Sequence, residues 1–219
     1  YVLSGKEIQV PEYSSRDVIV LDLKKHPDKK GLSSNEGKAR LLHDLASIEL
    51  QAMELALRTL GEYPDADPQF KEELMNLTLS ESQHLQLCLK GIEDLGYKWG
   101  DWPVHLALWN AVSKKDTLLE RIFIVHRYLE GSGLDAADTL LRILYGMGKS
   151  YTTEVIQTIT DEEVDHVKFG SLWFHKICKS KNIDADLEFK KIISNLRGRL
   201  PKRVEPINYD LRKKSAFTD

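Results

Sequence analysis

The chain has 219 residues, of which 42% are hydrophobic, and a formal net charge of −3. This length and composition predict a single domain with a sizeable core. The two cysteines, Cys88 and Cys178, exclude a disulfide framework and a C-x-x-C metal knuckle, and no run of about 18 apolar residues is present to span a membrane. A reducing cytoplasm is therefore the expected location.

The first 34 residues form an N-terminal extension without a sustained helical pattern. Two short stretches within it, 7–10 and 17–21, are expected to be extended. The run Ser33-Ser34-Asn35 then offers N-caps for a long helix. This helix is predicted to continue to about residue 60 and to stop at Gly61.

Three further long helices are predicted, at about 68–95, 115–130 and 150–179. Pro68 suits the first turn of the second helix, and the third is expected to stop at Gly131-Ser-Gly133. Shorter helices are predicted after the loop 97–103, at 136–145 and at 184–196.

Helices of more than 20 residues are over ~30 Å long and suit an up-down bundle. The predicted fold class is therefore all-α, a four-helix bundle with additional short helices and irregular N- and C-terminal tails. The predicted organisation is an N-terminal extension over 1–34, the bundle over 35–180, and a C-terminal helix with a basic tail over 181–219.

The C-terminal end is strongly basic. Residues 190–219 contain nine Lys or Arg and three acids, so this segment carries +6 and the remainder carries −9. Such a tail can contact nucleic acid or an acidic partner. The favoured interpretation is a solvated tail or an intramolecular clamp on the acidic body.

A repeated ligand motif runs through the four long helices. Glu49 is followed after 32 residues by Glu81-Ser-Gln-His84, and Glu130 is followed after 33 residues by Glu163-Val-Asp-His166. Positions three apart lie on one face of a helix, so each Glu and His can reach the same ion. A Glu from each of two helices and a Glu-x-x-His pair from each of the other two form the ligand set of a two-metal site in a bundle.

The glutamates Glu49, Glu81 and Glu163 interrupt apolar helix faces. An unpaired buried carboxylate costs several kcal/mol, and these faces contain almost no Lys or Arg, with Arg127 on the Glu130 face as the main exception. Two divalent cations would balance four carboxylates. Carboxylate and imidazole ligands suit iron or manganese and are compatible with zinc. The expected cofactor is thus a pair of metal ions, with iron favoured and manganese or a mixed pair as alternatives.

The roles of several residues near the motif are not fixed by the sequence. Glu130 has a less apolar face and is expected near a helix end, and Glu162 could replace Glu163, although only Glu163 has the three-residue spacing to His166. His126 precedes Glu130 by one turn and could line the site. Two other histidines have no assigned role: His43, which could be an outer contact, a cap or a surface residue, and His105.

Four stretches carry a resemblance to known proteins: Leu42–Ala52, Leu95–His105, Tyr128–Asp135 and Asp161–Val167. They resemble the ferritin-like di-iron carboxylate superfamily and, more closely, the bacterial ferritin-like family DUF455, over about residues 36–180. That family tends to carry an acid before the first Glu-x-x-His, where this chain has Ser80, and Ala and Arg inside it, where this chain has Ser82 and Gln83. An outer contact to the metal ligands is therefore missing or rebuilt.

The resemblance implies a fold and a metal site more specifically than a reaction, because such bundles host oxygenases, oxidases, peroxidases and iron stores. The leading expectation is a di-iron oxidoreductase that activates oxygen or peroxide with an external electron donor. Its substrate would be a small molecule or an RNA base, as in similar tRNA-hydroxylating bundles. The alternative is a metal-binding, iron-storage or structural bundle without an organic substrate. A homodimer is left open.

Overall fold

A computed structural model describes residues 10–11, 13–196, 198–200 and 205–217. The α-helices within these residues are α1 Asn35–Glu62, α2 Pro68–Asp94, α3 Ala107–Ala111, α4 Leu118–Ile122, α5 Glu130–Gly146, α6 Tyr151–Ser180, α7 Ala185–Asn195 and α8 Tyr209–Lys214. A π-helical segment, Phe123–Leu129, joins α4 to α5. The described residues contain no strand beyond one isolated bridge, which confirms the all-α prediction.

The long helices begin where the sequence supplies capping side chains. The Ser34 hydroxyl accepts a hydrogen bond from the Gly37 N–H, and the Asp67 carboxylate accepts one from the Gln69 N–H. Ser150 caps α6 in the same way. These bonds satisfy amide groups that have no partner within the first helical turn. The predicted starts of α1, α2 and α6 are therefore confirmed to within one residue.

The predicted stop at Gly131-Ser-Gly133 is wrong. Residues 118–146 form one continuous helical run, and the short helix expected at 136–145 is its C-terminal part. Gly131 lies within the helix beside the C-terminal segment, where a Cβ would be in ordinary van der Waals contact with the Arg212 guanidinium at 3.4 Å. The same guanidinium donates a hydrogen bond to the Gly131 carbonyl. Arg212 of the C-terminal segment thus packs against this part of the helix, and Gly131 does not end it.

The helices leave one side of the metal-ligand region open. Helix α1 packs along α2, α2 packs against α6, and the run 118–146 packs against α6. Among the described residues, α1 and α5 do not pack closely against each other, and the short helix α3 contacts both α1 and the π segment. A cleft between α1 and α5 is the result.

Two apolar clusters form the core. One contains Leu55, Phe70, Phe123 and Phe174, and the other contains Leu42, Cys88, Ile92, Leu144 and Ile156. On α1, α2 and α6 the predicted ligands fall between the positions that join the first cluster and those that join the second. The acids and histidines therefore form a polar layer within an apolar interior.

The N-terminal extension contributes little regular structure. Val20 bridges Val104, with the Leu21 N–H donating to the Val104 carbonyl and the Val104 N–H donating to the Ile19 carbonyl. The expected extended stretch 17–21 is thus limited to an isolated bridge. Most of the stretch 7–10 lies outside the described residues.

The C-terminal segment folds back on the body. Arg199 pairs with Asp116 at 2.6 Å, and the buried Arg212 pairs with Asp135 at the same distance. Helix α8 forms in a region expected to be irregular, because the Asn208 side chain accepts a hydrogen bond from the Leu211 N–H and caps it. Two of the basic residues therefore bind acids of the same chain. None of the described helices is long and apolar enough to cross a membrane.

His43 makes stability depend on pH. It is fully buried against Trp99 and Trp102, its Nε2 accepts a hydrogen bond from the Gly100 N–H, and burial lowers its pKa to about 4. Below pH 6.5 the unfolded chain therefore binds a proton that the folded chain does not. We expect the free energy of unfolding to fall by about 3 kcal/mol between pH 6.5 and pH 4 through this residue.

Urea unfolding at several pH values would measure the effect. The variant His43→Gln keeps a hydrogen-bond acceptor but cannot titrate, so its stability should decline less over the same range. Parallel profiles for the variant and the unmodified protein would contradict this role of His43.

Candidate metal centre

Two glutamates and two histidines meet at the centre of the polar layer. One ligand atom from each of Glu81, His84, Glu163 and His166 lies within 4.8 Å of the others. Helix α2 supplies the first pair and α6 the second, as the i, i+3 spacing predicts. The two imidazole centroids are 5.5 Å apart. The structure therefore assembles both Glu-x-x-His motifs into one cluster able to hold metal.

Glu81 and Glu163 occupy the middle of this cluster. The Nδ1 atom of His84 is 3.6 Å from an oxygen of each carboxylate. The Nδ1 atom of His166 is 3.1 Å from Glu81 and 3.2 Å from Glu163. Each glutamate thus lies between the two histidines.

Glu49 joins the cluster from α1. Its side chain is buried, and its Oε2 atom is 3.3 Å from Nδ1 of His84. The predicted apolar face around it is observed, with Ala46 and Ala52 buried on the same helix. Glu49 therefore lies on the His84 side of the centre.

Glu130 lies in the same cavity wall but has another partner. Its Oε1 atom is 2.8 Å from Nδ1 of His126, one turn earlier in the π segment. Burial raises the pKa of Glu130, although the charge of His126 opposes this effect. The other carboxylate oxygen of Glu130 is buried without a hydrogen bond. Glu49 and Glu130 both stay predicted ligands beside the four clustered residues.

The π segment sets the position of Glu130. The Glu130 N–H bonds to the Val125 carbonyl, five residues earlier, which widens the helix. Gly170 of α6 permits a close approach here, because a Cβ at that position would lie 2.4 Å from the Cβ of His126. A rare helical geometry therefore occurs immediately before a predicted ligand, as is frequent at functional sites.

Glu162 contacts His84 on the side facing away from the other ligands of the cluster. Its Oε2 atom is 3.0 Å from Nε2 of His84, and the Ser80 hydroxyl donates to the same oxygen at 3.4 Å. An acid from α6 thus contacts both His84 and Ser80 across the helix interface. An acceptor on Nε2 leaves Nδ1 of His84 directed at the carboxylates.

Protons balance much of the carboxylate charge when no metal is bound. Burial opposes a charged imidazole, but the carboxylates of Glu163 and Glu49 outweigh it and raise the pKa of His84 well above its usual value. Against the same effect of burial, Glu163 and Glu81 raise the pKa of His166 to about 11. Burial raises the pKa of Glu49. Metal binding must displace these protons, so we expect metal affinity to increase with pH.

The donor set fits divalent cations. Both oxygens of Glu81 are buried and make no well-oriented hydrogen bond, even though imidazole nitrogens lie nearby. Buried carboxylate oxygens without aligned donors are costly unless another positive partner is present. Mixed carboxylate and imidazole ligands suit iron and manganese. Glu81, His84, Glu163 and His166 could therefore hold metal.

A cavity of about 540 Å³ adjoins the cluster. All four predicted glutamate ligands line it, together with apolar residues of α1, α5 and α6. Concave, mostly apolar sites with a few convergent polar groups are typical of small-molecule binding. The metal-ligand cluster is thus accessible to a molecule of modest size.

Removing Glu162 should weaken metal binding without removing a ligand. For Glu162→Ala we expect about tenfold lower affinity for Fe²⁺, at the lower end of the range for such contacts because the side chain is half exposed. Anaerobic titration would measure it. The neighbouring Asp161→Ala is the matched control, since Asp161 is exposed and accepts a hydrogen bond from Gln157. Equal affinities for the two variants would contradict the role of Glu162.

Two histidines of unassigned role lie away from the cluster. His43 packs against Trp99 and Trp102, and the ring of His105 is 6.1 Å from that of His26. Nδ1 of His105 accepts a hydrogen bond from the Ala107 N–H, close to the start of α3. His43 contacts the loop before α3, and His105 is part of that loop. Neither histidine contacts the carboxylates of the metal-ligand cluster.

Comparisons with known proteins find similar sequences over nearly the whole chain. The sequence profile of a family described as "Protein of unknown function (DUF455)" matches residues 4–219. A chain from Haemophilus influenzae, described as "Uncharacterized protein", is 30% identical over 198 residues. That match covers 87% of this chain and 68% of the relative.

Proposed function

The chain belongs to the DUF455 family, and we propose that it is a di-iron oxidoreductase of the ferritin-like type that activates oxygen or peroxide. The observation that carries this proposal is the cluster of Glu81, His84, Glu163 and His166 beside an apolar cavity. Helices α1, α2 and α6 and the run 118–146 would form the four-helix bundle. Free, buried Cys88 and Cys178 suit a reducing cytoplasm.

Six predicted ligands, four of them carboxylates, lie in or beside the cluster, and this number favours a pair of metal ions over one. Glu81 and Glu163 lie between the two histidines, so both would hold metal together with His84 and His166. Glu49 would be a further ligand of the ion held by His84. Glu130, which lies beside His126 in the same cavity wall, would be a ligand of the second ion. Four carboxylates and two neutral imidazoles balance two divalent cations.

The residues around the centre would control its chemistry. A reduced iron pair supplies two electrons to oxygen or peroxide when bound. Glu162 would orient His84, and the apolar cavity wall would surround the reacting molecule with few polar groups. Electrons would come from an external donor, because the sequence carries no C-x-x-C redox motif.

Oxygen uptake tests this function. Reductant would be added to iron-loaded protein in an oxygen-electrode cell, with metal-free protein and iron-loaded buffer as controls. We expect uptake that exceeds both controls. Uptake no greater than that of the iron-loaded buffer would contradict the oxidoreductase and favour the alternative of a metal-binding, storage or structural bundle.

A further inference from the structure

The cleft between α1 and α5 is built for an apolar ligand. Its α1 wall presents Leu41, Leu45 and Ile48, and its α5 wall presents Ala137 and Leu140. These five side chains are only partly buried, although other apolar positions on the same helices lie in the core. The carboxylates of the metal-ligand cluster form the floor.

The cleft is a gap between helices that are otherwise well packed. Helices α1 and α2, and α5 and α6, contact each other along their lengths, whereas among the described residues α1 and α5 do not. Deeper in the cavity the lining is also apolar: it includes Leu134, Ile156 and Ile159, each more than nine-tenths buried. A ligand that enters between α1 and α5 would therefore reach the carboxylates along an apolar path.

The cleft offers few hydrogen bonds to a ligand. The Thr160 hydroxyl donates to the Ile156 carbonyl, and the Ser132 hydroxyl donates to the Tyr128 carbonyl, each within its own helix. Between the carboxylates of the floor and the acids of the rim, a polar ligand would lose hydrogen bonds to water without regaining them from the wall, which is costly. The cavity wall thus selects against polar molecules.

The rim selects against negative charge. Among the described residues that line the cavity, Lys29 is the only cation, and its Nζ is 2.7 Å from Asp44. The other acids at the rim are held as well, Glu205 by the Thr139 hydroxyl and Asp135 by Arg212. An anionic head group would find no unpaired cation among these residues and would lie near carboxylates.

We propose that this cleft binds an uncharged, apolar molecule, and that such a molecule is the substrate of the oxidoreductase. That the molecule is a substrate rests on the proposed function, whereas its binding in the cleft does not depend on catalysis. The same chemistry disfavours a phosphate-bearing substrate such as RNA in this cleft.

Two matched fluorescent dyes test the proposal. N-phenyl-1-naphthylamine is neutral, and 8-anilino-1-naphthalenesulfonate has the same aromatic body with a sulfonate. Titration of the iron-loaded and metal-free full-length protein would give both affinities. We expect the neutral dye to bind at least about tenfold more tightly than the sulfonate.

Substitutions locate the bound dye. Ile48→Trp fills the cleft and should weaken binding of the neutral dye about tenfold or more, and Ala137→Phe tests the opposite wall should the first variant not fold. Leu57→Trp is the control, since Leu57 is on the same helix, is 46% exposed and does not line the cavity. Circular dichroism and metal content would show that each variant is folded.

The outcomes separate this inference from the proposed function. Neutral-dye binding that Ile48→Trp or Ala137→Phe removes and Leu57→Trp preserves would support the site, even if no oxygen is consumed. Equal binding of the two dyes, or binding that neither cleft variant weakens, would overturn it even if oxygen uptake is found.

Discussion

Replacing Glu81 or Glu163 by alanine should remove most of the metal binding. Each carboxylate has an oxygen within 3.6 Å of Nδ1 of His84 and of Nδ1 of His166. Either substitution would therefore affect both proposed metal positions. We expect the affinity for Fe²⁺ to fall by more than the 10–100-fold typical of contacts outside the ligand set. Anaerobic Fe²⁺ titration, followed by desalting and elemental analysis, would measure it.

The chain provides a control on the same helix as Glu81. Glu72 is exposed on α2, two turns before the cluster, so Glu72→Ala removes a carboxylate without touching the centre. Its metal content should equal that of the unmodified protein. Full metal loading of both Glu81→Ala and Glu163→Ala would show that the ligands lie elsewhere.

Replacing Arg212 by methionine should destabilise the fold. The guanidinium is buried, donates three hydrogen bonds to the Asp135 carboxylate and donates one to the Gly131 carbonyl. Without it the Asp135 carboxylate is left buried without its cation, at a cost of about 3–5 kcal/mol. We expect urea unfolding to show a loss of this size.

An exposed pair on α5 calibrates the measurement. Arg142 pairs with Asp138 at 2.7 Å, but 78% of the Arg142 side chain is exposed. Arg142→Met should therefore cost less than about 1 kcal/mol. Adding Asp135→Asn to Arg212→Met should recover part of the lost stability, because it removes the uncompensated charge. Equal losses for Arg212→Met and Arg142→Met would contradict a structural role for the buried pair.

The helices and the clustered ligands could be predicted because their signals are local. Caps such as Ser34 and Asp67 act within one turn, and the three-residue spacing of Glu81 and His84 places both on one face whatever the helix packs against. Acids within apolar faces then indicated which side of each helix faces inward. These features depend on neighbours in sequence, so the sequence alone reveals them.

The features that were missed depend on contacts distant in sequence. Gly131 resembled a helix stop, but Arg212, 81 residues later, packs against it and bonds to its carbonyl. Glu162 contacts His84, which is 78 residues earlier, and no spacing rule links them. The π segment packs against Gly170, 44 residues after His126, and no local sequence pattern predicted it.

The number of iron ions bound per chain tests the account most directly. The full-length protein would be reconstituted anaerobically with Fe²⁺, desalted and analysed for iron and protein, with Mössbauer spectroscopy to report whether the ions are coupled. We predict about two coupled iron ions per chain. An iron content near zero, or one isolated ion, would contradict the two-metal centre.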